Sequence, residues 1–133
     1  MARITGSEIT NAVISHIRSY ADINEDFTVH AYERPQKIEK KGYIVVINSV
    51  FQSDSEMNES FVNVNVHMKD NMKGDINASL TSYADNVVSV FEDDLLAEGA
   101  WIEYASSSAP MKDSDGTHFI NIRLKCHHAK INN

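Results

Sequence analysis

The sequence predicts an α+β fold: a single, mostly antiparallel sheet packed by two helices, in the order α-β-β-β-α-β-β. Three observations carry that expectation. "FVNVNVHMKD" (61–70) and "HFINIRLKC" (118–126) alternate apolar and polar side chains, the period of a strand with one face buried. Two segments, 5–21 and 75–98, repeat apolar residues at helical spacing instead. "GYIVVINSVF" (42–51) is continuously apolar and β-branched, as a strand covered on both faces would be. At 133 residues the simplest organisation is one domain, 1–133.

Taken in order, the first helix follows from Ile9, Val13, Ile17 and Tyr20, with Ala12 and His16 on the shoulder of the stripe. Thr5 and Glu8 have capping-box spacing at its start. A strand over 26–35 follows, with Phe27, Val29 and Ala31 opposite Thr28, His30 and Tyr32, ended by Pro35. The second strand is 42–51. A polar loop over 52–60, carrying Asp54, Glu56 and Glu59, leads to the third strand, and loops longer than a hairpin needs tend to carry function. The second helix, 75–98, presents Ile76, Leu80, Tyr83, Ala84, Val87, Phe91 and Leu95 as one stripe, with Asp75 or Asn77 to cap it and Gly99 beyond its end. Strands over 101–108 and 117–128 flank a loop, "APMKDSDG" (109–116). In 61–70 and 118–126 polar residues alternate with apolar ones, and what those polar residues face is the functional question.

Charge and composition exclude several answers. Twelve basic against nineteen acidic residues give a net charge of −7, unsuited to non-specific binding of a nucleic-acid backbone. The lone Cys126 rules out an internal disulfide framework and fits a reducing compartment. Neither a membrane-length apolar run nor the apolar middle of a signal peptide is present, so the expectation is a chain made in a cytoplasm. No Gly-rich phosphate loop, nucleophile elbow, Cys-x-x-Cys or His-Glu-x-x-His pair occurs. "DSDG" (113–116) looks like part of a calcium loop, but twelve positions from Asp113 end on Leu124 rather than a bidentate glutamate, so it reads as a turn. The six histidines show no convergent zinc spacing. Neither an enzyme, nor a metal, nor a cofactor is expected.

Two sets of residues remain as candidates. Asn63, Asn65, His67, Asn121, Arg123 and Lys125 form the polar halves of the alternating strands, and they face water, a ligand or a neighbouring subunit. Glu92, Asp93, Asp94 and Glu98 cluster near the end of a helix that contains no Lys or Arg. There negative charge opposes the helix dipole, so the cluster is either a solvated face or an acidic surface placed for a purpose.

"GYIVVIN" (42–48), "FVNVNVHMKD" (61–70), a capped helix opening near Asn77 and "HFINIRL" (118–124), in that order, resemble the tail-completion or tail-terminator proteins of tailed bacteriophages and prophages. The resemblance runs from "YERP" (32–35) to "NIRL" (121–124). It implies a non-enzymatic virion protein, synthesised in the bacterial host cytoplasm, that acts at the neck between head and tail. Proteins of that kind form a ring, typically six-fold, that caps the tail tube and docks the head. Its partners would be further copies of itself, the tail tube protein and a head–tail connector, with double-stranded DNA passing through unbound and no membrane involved. On that reading Asn63, Asn65, His67, Asn121, Arg123 and Lys125 make subunit or partner contacts, Asp54, Glu56 and Glu59 make loop contacts, and Glu92, Asp93, Asp94 and Glu98 line the lumen. The residues by themselves leave open a second class, a cytoplasmic adaptor or small-ligand-binding module built on the same sheet.

Overall fold

The computed structural model describes residues 6–48, 57–97 and 99–129. Its elements are α1 (Gly6–Arg18), α2 (Ala21–Asp26), β1 (Phe27–Ala31), β2 (Gly42–Asn48), β3 (Met57–Lys69), α3 (Leu80–Ser89), β4 (Leu95–Ala97), β5 (Ala100–Ser107), β6 (Met111–Lys112) and β7 (Thr117–Ala129). The strands form one sheet in the order β1-β2-β3-β7-β5-β4, with β6 paired to β7. Only β1 and β2 run parallel; the other pairs are antiparallel. This is the predicted α+β class, with an additional short helix and two additional short strands. None of the helices described is long and apolar enough to cross a membrane.

The alternation seen in the sequence sorts the sheet into two faces. Val62, Val64 and Val66 of β3, Ile122 and Leu124 of β7, Ile44 and Val46 of β2 and Ile102 of β5 join one core. Ile9, Val13 and Ile17 of α1 and Leu80, Ala84 and Val87 of α3 pack into it, so the helices cover this face. Each such valine, leucine or isoleucine, taken from water to full burial, contributes about 1.5–3 kcal/mol. Thr5, the expected cap of α1, and Glu98 lie outside the described residues, as do Asp54 and Glu56.

Four element boundaries differ from the sequence expectation. The first strand ends at Ala31, before Pro35, because Tyr32 takes a left-handed backbone (φ 65°) that breaks the extended run. The Tyr32 amide still donates to the Val46 carbonyl, at 3.0 Å. Glu59 lies within β3 rather than in a loop, since β7 is long enough to pair it with His127. The second helix spans only Leu80–Ser89, much shorter than 75–98. The Asn77 side chain accepts from the Ser79 amide at 2.9 Å in a turn ahead of the helix. At the other end the Val90 carbonyl accepts from His16 Nε2 at 2.7 Å, and Phe91 is buried. The chain then turns so that Leu95 pairs with Ile102, and β4 forms where a last helical turn was expected. Glu92, Asp93 and Asp94 therefore sit exposed in a turn, outside the helix.

Candidate functional site

The face of the sheet opposite the helices carries the polar halves of the alternation. Pairing stacks them into rows across the strands: Tyr43–His67–Phe119, Val45–Asn65–Asn121, Ile47–Asn63–Arg123, Phe61–Lys125–Glu103 and Glu59–His127–Trp101. All six residues singled out on β3 and β7 thus share one face, as strand parity requires. Their surroundings differ. Asn63, Asn65, Asn121 and Lys125 are half-buried and Arg123 is exposed, whereas His67 is only 5% exposed.

These side chains are bound largely to one another. Asn121 Nδ2 donates to Asn65 Oδ1 at 2.6 Å and to Asn63 Oδ1 at 3.2 Å. The Arg123 guanidinium lies 3.6 Å from the centre of the Phe61 ring, a cation–π contact. Lys125 Nζ stands 3.5 Å from Glu59 Oε2. His127 stacks on Trp101 with ring centres 5.0 Å apart, between the carboxylates of Glu59 and Glu103. Because the rings turn their faces to each other, Tyr43, Phe119 and Trp101 do not form a platform on which bases could stack.

At the β7 end of this face the structure assembles a group that the sequence reading missed. The His67 ring is sandwiched between Tyr43 and Phe119, with centroid distances of 4.3 and 4.6 Å. Its Nδ1 lies 3.0 Å from Thr117 Oγ1 and 3.8 Å from Asp113 Oδ2. Asp115 accepts from Thr117 Oγ1 at 2.5 Å, from the Thr117 amide at 3.2 Å and from the Tyr43 hydroxyl. Arg34 Nη1 approaches both carboxylates, at 3.4 Å from Asp113 and 3.5 Å from Asp115. The "DSDG" stretch is thus a turn, as its sequence implied, and it closes over His67. No sequence motif announces the group, because its members come from the chain after β1, from β2, from β3, from the turn before β7 and from the start of β7.

The electrostatics follow from burial. Burial lowers the His67 pKa below 6.5 despite the pull of Asp115 and Asp113 in the other direction, so the imidazole is neutral at neutral pH. Burial pushes the Asp115 carboxyl up, but hydrogen bonds from Thr117 and Tyr43 outweigh it and hold it below its ordinary value. Burial likewise raises the Cys126 thiol to about 11, making it a core filler with little thiolate character.

No family model matches the sequence, and no curated protein matches it. Solved structures do share its fold over nearly the whole chain. One is a chain of "Virion of native gene transfer agent (GTA) particle", 13% identical with a TM-score of 0.65, covering 97% of this chain and 100% of that one. Another, whose name is only a sequence identifier, is 12% identical with a TM-score of 0.61 and covers 96% of this chain and 94% of that one. At these identities the likeness establishes a shared fold.

Proposed function

We propose that this chain is a structural protein of a phage-type virion. In this reading it forms a hexameric ring at the head–tail neck that terminates the tail tube and joins it to the head. The observation that carries the proposal is the end-to-end correspondence with a chain of a gene transfer agent virion, at a TM-score of 0.65. Coverage of 97% and 100% leaves no large insertion or extra domain to separate the two folds. The sequence resemblance to tail-completion proteins, read independently of any structure, points to the same class of particle.

The geometry supports a role in assembly rather than chemistry. Asn63, Asn65, Asn121, Arg123 and Lys125 offer a broad polar sheet face whose three asparagines are already ordered by mutual hydrogen bonds, so covering it costs little further ordering. His67 contributes from below, holding the 113–116 turn, and does not itself reach a neighbour. Glu59 stands at the same face beside Lys125 and His127. A closed ring needs two different patches on each subunit. The exposed turn at Glu92, Asp93 and Asp94, between α3 and β4, lines the lumen in this reading, where negative charge keeps passing DNA from adhering. Its partners are then further copies of the chain, the tail tube protein and a head–tail connector.

Electron microscopy of the purified chain mixed with tail tubes tests the proposal. Rings seated on tube ends are expected, with Glu92, Asp93 and Asp94 facing the central channel. A chain that stays monomeric with tubes present overturns the ring. Rings that carry the acidic turn on the outer rim overturn only the lumen assignment.

A further inference from the structure

The geometry points to a divalent-cation site built by His67, Asp113 and Asp115 at the end of the open sheet face, selective for a borderline ion of the Zn2+ class. The inference stands on this cluster alone and is independent of the neck-ring reading.

One imidazole nitrogen and two carboxylate oxygens lie within 4.8 Å of one another. Ligands about 2.1 Å from a common ion stand roughly 3.0–3.5 Å apart, so a small inward rotation of Asp113 completes a three-point set. The ligands are held in advance. Tyr43 and Phe119 clamp the His67 ring on both faces. Thr117 and Tyr43 aim the Asp115 carboxylate, and the Ser114 amide donates to Asp113 Oδ1 at 2.6 Å. Such outer partners are what fix ligand orientation in metal sites. A nitrogen donor disfavours Ca2+ and Mg2+, which take oxygen ligands, and favours a borderline ion.

A separate observation shows that the cluster attracts a cation. Arg34 already bridges the two carboxylates, but at 3.4 and 3.5 Å and with its side chain 51% exposed. Strong charge-assisted bonds run at roughly 2.7–2.9 Å, so the guanidinium is a loose occupant that can swing outward. A cleft of about 170 Å3, lined by Arg34, Tyr43, His67, Asp113 and Phe119 among others, opens onto two of the three ligands, His67 and Asp113.

Proton accounting is simple. Because Thr117 Oγ1 donates to Asp115, His67 Nδ1 must donate to Thr117 Oγ1 and carries the ring proton. For an ion to bind through Nδ1, the ring changes tautomer: the Nδ1–H bond breaks, the proton passes to Nε2, and the hydrogen bond to Thr117 is exchanged for the bond to the ion.

Titration of the full chain with ZnCl2, read by calorimetry and thermal melting with MgCl2 as control, tests the site. One ion per chain is expected to bind saturably and raise the melting temperature, while Mg2+ does neither. Asp113→Asn, at a partly exposed turn position where folding is preserved, is expected to weaken binding at least about tenfold. Arg34→Gln removes the rival cation and is expected to tighten it. Nitrogen-detected NMR should show the His67 ring proton passing from Nδ1 to Nε2 on loading. Absence of saturable binding in both the parent chain and Arg34→Gln overturns the site. So does binding that Asp113→Asn leaves unchanged, because the ion would then be held elsewhere.

Discussion

The two faces of β3 are made from alternate residues of one ten-residue stretch, yet they do different work. Val62, Val64 and Val66 are completely buried against the helices. Asn63 and Asn65, between them, are half-buried and hydrogen-bonded sideways to Asn121 of β7. Removing apolar surface from water is what holds the fold together. A polar network on a half-wet face adds little net stability, since water offers its groups equivalent bonds. The covered face therefore sets whether the chain folds, and the open face sets what the folded chain can meet.

If that division is right, the largest effects come from the covered face and from the backbone beneath it. Gly42 pairs with Met68 at the first position of the β2–β3 ladder. A Cβ there would lie 1.9 Å from the His67 carbonyl oxygen and 2.8 Å from the Phe27 ring, and a backbone atom inside a ladder cannot move aside. Gly42→Ala is expected to cost about 4 kcal/mol or more, at the extreme of single substitutions. Urea unfolding followed by circular dichroism reads this, and near-parent stability would mean β2 and β3 are not so closely apposed. Ile122→Ala, at a fully buried position of β7, should cost about 2–5 kcal/mol through lost transfer energy and the cavity left behind.

Arg123, the immediate neighbour of Ile122, gives the opposite case. Its contact with the Phe61 ring is exposed to water, so Arg123→Glu should cost only about 0.5–1 kcal/mol. It should nonetheless abolish ring assembly on tail tubes, because it reverses a charge on the face assigned to contact. A mutant as unstable as Ile122→Ala would erase the distinction between the faces. A stable mutant that still assembles normally would remove Arg123 from the interface.

How much of this was legible in the sequence depends on distance along the chain. Parity is a local property, so grouping Asn63 with Asn65, and Asn121 with Arg123 and Lys125, followed from two short alternations, while the β3–β7 register puts both groups on one face. The extent of α3 did not. Val90, Phe91 and Leu95 continue the helical spacing of 80–89, although the first two serve a turn and the third a strand. Periodicity cannot distinguish these uses once each residue is buried by tertiary contacts. Glu59 read as loop because its neighbours are polar, and only the length of β7 gives it a partner. The group around His67 was invisible for a stronger reason. His67 fell on the polar parity of its strand and Asp113 and Asp115 read as turn residues; their meeting depends on the β3–β7 register and on Arg34 returning from beyond β1.

His67 is also where the contrast between faces is weakest, since it lies on the open face but is buried like a core residue. That makes a small effect informative. Asp113 and Asp115 face the ring from the turn, Arg34 faces it from the segment after β1, and Tyr43 and Phe119 enclose it without carrying charge at neutral pH. The two carboxylates favour the imidazolium, while burial and Arg34 oppose it, and burial dominates, so the folded-state pKa lies below 6.5. As pH falls below about 6.5, the unfolded chain takes up this proton before the folded chain does. Stability from this residue is therefore complete above that pH and is lost as pH falls toward the folded-state value. His67→Phe keeps the aromatic stack and removes the titration, so its unfolding free energy should vary less than the parent's between about pH 7 and pH 5. The remaining histidines are common to both proteins and cancel in the comparison. Equal slopes would mean that His67 is as free to ionise in the folded chain as in the unfolded one, and that the open face is wet even beneath the 113–116 turn.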